Sequence, residues 1–200
     1  MPKVLSIRFD NLFEIDRLRV FSGVRFDTNS ERIQLLMEQL GKAVRSPGCV
    51  YFTGGVSAVL LGWREMTLDV DLKADPEAVG FFEALPKLKE SLNINIELAA
   101  PDQFVPALPG WRERSRFIAQ HGPISFYHYD FYGQALAKVE RGHTRDLLDI
   151  SNMVKSGEVK TQRLLELFEQ VEGQLIRYPA VDALTLKQRV LELVAGSKQL

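Results

Sequence analysis

Hydrophobic and polar positions change their spacing several times along the chain. After Asn29-Ser30-Glu31, apolar residues return every three to four positions, at Ile33, Leu36, Met37, Leu40 and Val44. That spacing predicts a helix with one buried face, closed by Ser46-Pro47-Gly48. Cys49 to Thr53 reads as a short strand that stops at Gly54-Gly55, and Ser57 to Trp63 is apolar and helix-competent. Residues 68–73, Leu-Asp-Val-Asp-Leu-Lys, alternate strictly, which predicts a strand with one apolar and one polar face. Pro76 to Leu92 reads as a helix interrupted at Leu85-Pro86, and residues 92–98 alternate again. Pro101 to Gly110 reads as a loop, and residues 124–131 are aromatic-rich and β-like.

Past Gly133 the period is helical throughout. Segments 134–141, 144–154, 161–176 and 182–194 each carry it, with Thr144, Thr161 and Asp182 as N-cap candidates. The expected fold is therefore α+β: a mixed α/β core with N-terminal helices over residues 1–132, then a C-terminal helical region over 133–200.

Composition narrows the class without changing this picture. The chain has 200 residues, 46% hydrophobic and 26% charged, a globular and not a disordered balance. One cysteine, Cys49, rules out an internal disulfide framework and a cysteine-rich zinc site. No apolar run approaches the ~20 residues of a membrane span, and no hydrophobic stretch precedes the first charges. The expectation is a soluble, cytoplasmic protein with no membrane partner. Net charge is −1, but it is unevenly spread: residues 65–102 carry three basic and nine acidic side chains, and residues 103–145 carry six basic and three acidic. Acids can hold cations and bases can hold phosphates; the alternative is two solvated faces.

Asp69 and Asp71 sit two apart on the first alternating segment, so both leave one face of a strand with Cα atoms about 6.6 Å apart. Such carboxylates raise each other's pKa unless a cation lies between them, and hard cations such as Mg²⁺ prefer oxygen ligands. Glu97 occupies the polar face of the second alternating segment and joins them if the two strands are neighbours. Convergent carboxylates of this kind can hold divalent ions for phosphoryl or nucleotidyl transfer. The bland alternative is an ordinary half-exposed strand. Gly54-Gly55 followed by Ser57 lies between a strand and a helix, where backbone can approach an anion closely; a tight turn needs the same glycines. His121, His128 and His143 lack metal-ligand spacing. Trp63, Trp111, Tyr127, Tyr129 and Tyr132 suit either packing or base stacking. Cys49 reads as an inert core thiol, and Arg112, Arg114 and Arg116 as a solvated basic run or an RNA backbone contact.

Together the segments read Gly54-Gly55-x-Ser57, an apolar helix, Arg64, Thr67, then Asp69-Val70-Asp71. This resembles the signature of the polymerase-β-like nucleotidyltransferase superfamily, and within it the AbiEii-type toxin branch. Lys138-Val-Glu-Arg141 followed by Arg145-Asp146 and Asp149 is similar to the lysine–arginine–aspartate pattern of that branch's helical half. The resemblance implies a nucleotidyltransferase-like mixed sheet with flanking helices. It implies Asp69, Asp71 and Glu97 as ligands of Mg²⁺ or Mn²⁺. It implies Gly54, Gly55, Ser57, Arg64 and Lys138 as the holders of a nucleoside triphosphate, with Asp146 fixing a helix or an arginine. Val56, between the glycines and Ser57, departs from the commoner Gly-Gly-Ser form. The implied activity moves a nucleotidyl group to RNA, such as a tRNA 3′ end, or to a protein hydroxyl. The implied context is a toxin with a cognate antitoxin. The alternative is a catalytically silent nucleotide-binding or partner-binding module of the same fold.

Overall fold

The computed structural model describes residues 27–197; the N-terminal helices expected ahead of residue 27 lie outside the described residues. The first helix, α1 (Ser30–Ala43), follows the expected apolar stripe, and the Asn29 side chain accepts the Arg32 amide at 3.0 Å as its N-cap. Asn29→Ala should cost about 1 kcal/mol, seen as a lower urea midpoint at unchanged slope.

Five strands form one mixed sheet in the order β3-β2-β1-β5-β4. They are β1 (Gly48–Phe52), β2 (Asp69–Ala74), β3 (Asn95–Glu97), β4 (Arg116–His121) and β5 (Ile124–His128). β1 runs antiparallel to β2 and parallel to β5; β2 and β3 are parallel, and β4 and β5 antiparallel. Helix α2 (Gly54–Leu60) follows β1, α3 (Phe81–Ser91) lies between β2 and β3, and a single turn, α4 (Trp111–Arg114), precedes β4. The C-terminal part is helical: α5 (Phe131–Arg141), α6 (Thr144–Lys155), α7 (Thr161–Val171), a 3₁₀ segment over Glu172–Arg177, and α8 (Ala183–Ser197). Among the described residues no helix is long and apolar enough to cross a membrane.

The alternation of the strands decides what each sheet face does. Val50, Phe52, Val70, Leu72, Ile96 and Phe126 point to one face and bury against α1 and α3. The intervening residues, including Asp69, Asp71 and Glu97, therefore leave by the other face. A second apolar cluster joins the C-terminal helices, with Leu136 and Val139 of α5, Ile150 of α6, Phe168 of α7 and Val190 of α8. Val105 and Leu108, from the proline-bearing loop, belong to this second cluster, and Leu61 and Trp63 pack against it. Those four residues join the helical region to the sheet half. Trp111 is buried against Tyr51 and stacks on Tyr129 at 4.6 Å between centroids.

Three elements differ from the sequence expectation. The second alternating segment forms a strand only over Asn95–Glu97, because Leu92 caps α3 and Asn93 turns the chain at φ 49°. Helix α3 starts at Phe81, behind the left-handed Gly80, and runs through Pro86 without ending. Pro86 forfeits one hydrogen bond, to the carbonyl of Phe82, a residue on the exposed side. Strand β4 has no counterpart in the hydropathy pattern: it is an exposed edge strand whose residues do not alternate in burial.

Candidate active site

The parallel register of β2 and β3 sets Asp69 opposite Asn95 and Asp71 opposite Glu97. All four side chains thus stand on the sheet face away from α1. The Asn95 side-chain amide donates to Asp69 Oδ1 at 2.8 Å and to Glu97 Oε1 at 2.9 Å. Asp71 is pushed up to about 6 by burial first, then by the charges of Glu97 and Asp69, against the opposing pull of Arg141 and Lys138. A raised carboxyl among carboxylates is what an all-oxygen cation site looks like before the cation's charge is added. The donor chemistry therefore fits a hard divalent cation. Among the described residues no group of three or more His, Cys, Asp or Glu side chains is drawn together closely enough to hold a metal ion as the side chains stand.

Gly54 and Gly55 begin α2 at the end of β1, and both are required by what they touch. Gly54 has φ +59°, and a Cβ there would meet Asp71 Oδ2 at 2.6 Å; a Cβ on Gly55 would collide with Thr67 Oγ1. Thr67 in turn donates to the Asp69 carbonyl at 3.1 Å. The glycine pair thus lets the turn lie directly against the aspartate strand. Gly54→Ala should cost about 1–2 kcal/mol from the left-handed backbone alone. It should also weaken Mn²⁺ binding, measured by titration, because Asp71 must move.

Ser57 is placed differently from the expectation. It is 1% exposed, and its hydroxyl donates to the Phe52 carbonyl at 3.2 Å and lies 3.0 Å from His128 Nδ1. Ser57 lies one turn into α2, on the side packed towards the sheet, so its hydroxyl serves the interior and does not face the cleft. Burial pushes His128 down to about 4, with Arg116 adding to the shift, so the imidazole is neutral at pH 7.

Lys138 and Arg64 do reach the cleft, but as members of a buried ion network. Lys138 is only 4% exposed. Its Nζ lies 2.6 Å from Asp149 and 3.2 Å from Asp146. Arg64 pairs with the other oxygen of Asp149 at 2.6 Å, and Arg141 with Asp146 at 2.8 Å. Asp146 therefore fixes a lysine and an arginine, in line with the role implied for it. The network draws α5, α6 and the segment before β2 into one wall.

Two hollows flank Asp71. One, of about 210 Å³, is bounded by Gly55, Asp69, Arg64, Lys138, Arg141 and Arg145. The other, of about 150 Å³, is bounded by Thr53, Glu97, Pro101, Phe104, Gln134 and Lys138. Gly54, Asp71, Lys138 and Arg141 border both. One side of the cleft is carboxylate and the other guanidinium and ammonium. A family model described as "Nucleotidyltransferase of unknown function (DUF6036)" matches residues 30–190. The chain belongs to this nucleotidyltransferase family. No curated protein and no solved structure matches it.

In this nucleotidyltransferase-family chain, three site residues lack an assigned role in the sequence reading. Arg141 is the network cation with the most exposed side chain facing the cleft, at 44%. Its i, i+3 spacing from Lys138 already puts the two on one helix face. Gln134 lies a further turn back on that stripe. Asn95 carries no sequence signal beyond its place opposite Asp69, which only the strand register reveals.

Proposed function

We propose that the chain is a Mg²⁺- or Mn²⁺-dependent nucleotidyltransferase of the AbiEii-like kind, acting on a nucleoside triphosphate. The observation that carries this reading is the facing of two charge sets across one cleft: Asp69, Asp71 and Glu97 on the sheet, and Arg64, Lys138 and Arg141 opposite. Asp69 and Asp71 would hold the cation, with Glu97 beside them. Once bound, a divalent cation neutralises phosphate charge and lowers the pKa of an oxygen it contacts. Arg141 and Arg145 offer donors to the triphosphate, while Lys138 and Arg64 lend charge from within their network. In the reaction an acceptor oxygen forms a bond to the α-phosphorus, the bond from that phosphorus to the bridging oxygen of the β-phosphate breaks, and pyrophosphate leaves. Positive charge along α5 lies where the leaving group gains negative charge.

RNA or a protein hydroxyl is proposed as the acceptor. A cognate antitoxin is proposed as the partner, on the strength of the Lys138, Arg141 and Asp146 pattern. The silent-module alternative draws support from Asn95, whose side-chain amide donates to Asp69 and Glu97. A thermal shift separates affinity from its absence. Mg²⁺ with a nucleoside triphosphate should raise the melting temperature of the wild type, because ligand binds only the folded state. In Asp71→Asn the metal-dependent part of the shift should vanish. Equal shifts in both proteins would put the ligand elsewhere.

A further inference from the structure

We propose that Gln134 is a positioning residue that locks the Gly54 turn against Asp71 and so fixes the spacing of the carboxylate side of the cleft; this rests on the nucleotidyltransferase reading. Gln134 is 2% exposed, yet each of its amide atoms is engaged. Its Oε1 accepts the Gly54 amide at 3.0 Å. Its Nε2 donates to the Tyr129 carbonyl at 2.7 Å and approaches Ser57 Oγ at 3.5 Å. Three segments meet at this one side chain: the turn after β1, the link from β5 to α5, and α5 itself.

Gly54 supplies the first amide of α2, which has no partner within its own helix. Without Gln134 that half-buried donor must turn to water in the cleft, and the turn would relax to do so. The turn has little room to relax without consequence, because the space a Gly54 Cβ would fill is only 2.6 Å from Asp71 Oδ2. Moving Gly54 moves the wall that confines the Asp71 carboxylate. Gln134 also shares its helix face with Lys138 and Arg141, at four and seven residues. One helix thereby sets both sides of the cleft: carboxylates through the Gly54 turn, cations directly. The Gly54 N–H, spent on Gln134, is correspondingly not a donor to phosphate.

The test uses the full chain with two variants. Gln134→Met keeps length and removes both hydrogen-bonding roles; Gln134→Glu keeps an acceptor for Gly54. Amide hydrogen exchange read by NMR should show the Gly54 amide exchanging about tenfold faster in Gln134→Met, with Val70 and Leu72 unchanged. Gln134→Glu should keep the Gly54 amide protected. Affinity for Mn²⁺ with ATP should fall by about tenfold in Gln134→Met. Wild-type protection of Gly54 in Gln134→Met would overturn the proposal, whatever happens to the melting temperature. If Gln134→Met does not fold, loss of Gly54 protection in a folded Gln134→Glu would overturn it equally, and retained protection supports it. Failure of wild type to bind Mn²⁺ with ATP would instead remove the nucleotidyltransferase reading, with Gly54 exchange still deciding the role of Gln134.

Discussion

Asp71→Asn should be more stable than the wild type at pH 7 and should lose most of the proposed nucleotidyl transfer. The gain in stability follows from linkage. Asp71 titrates at about 6 in the folded chain against an ordinary 3.8, chiefly because burial and then Glu97 and Asp69 disfavour its charge. The folded state holds this proton more tightly than the unfolded state does. The stabilising contribution of the protonated form is thus complete below about pH 4 and is lost as pH rises through about 6. Above that, wild type carries the cost of a poorly solvated carboxylate, and the amide does not. A shift of roughly two units corresponds to about 3 kcal/mol, which partial solvent access to Asp71 reduces to about 1–2 kcal/mol. Urea melts from pH 4 to 8 should show wild-type stability falling relative to Asp71→Asn across pH 4–6 and the gap then staying constant. Mg²⁺ should narrow the gap by stabilising wild type alone. Activity should drop by roughly three orders of magnitude, the scale for losing one central electrostatic group.

Asp149→Ala should do the opposite and destabilise strongly, by about 3–5 kcal/mol. Asp149 is 1% exposed and accepts from both Lys138 and Arg64 at 2.6 Å. Its removal leaves Lys138 buried with only the longer contact to Asp146 and detaches Arg64 from α6. Lys138→Met should cost less, because Arg64 and Arg141 still neutralise Asp149 and Asp146. The double variant Lys138→Met with Asp149→Ala should lose less than the sum of the two single changes, since it removes both members of one pair. Additive losses in urea titrations would mean that the two side chains act independently.

The alternation at 68–73 made β2 and the common face of Asp69 and Asp71 legible, because a period of two allows only one assignment of faces. Glu97 was legible as a polar-face residue, although its strand keeps only three residues of the seven that alternate. The rest depended on tertiary contacts with no local signature. Ser57 reads as a phosphate donor from its neighbours, but helical rotation from Gly54 turns its hydroxyl inward to Phe52 and His128. The resemblance gives Lys138 a place beside the phosphates, but only the packing of α6 brings Asp146 and Asp149 to it. Gln134 and Asn95 act through partners 80 and 26 residues away, which no window of sequence contains. The edge strand β4 escaped notice because it buries no regular face.

Nucleotidyl transfer at the Asp69–Asp71 cleft can be followed with nucleoside triphosphates labelled at the α- or the γ-phosphorus. Each is incubated with Mg²⁺, total RNA and either the wild-type chain or Asp71→Asn. Wild type should leave covalent α-label on RNA or protein and release γ-label as pyrophosphate, and Asp71→Asn should do both about a thousandfold more slowly. Transfer of the γ-label to an acceptor, or nucleotide binding with no α-label transferred to anything, would contradict nucleotidyl transfer at this cleft.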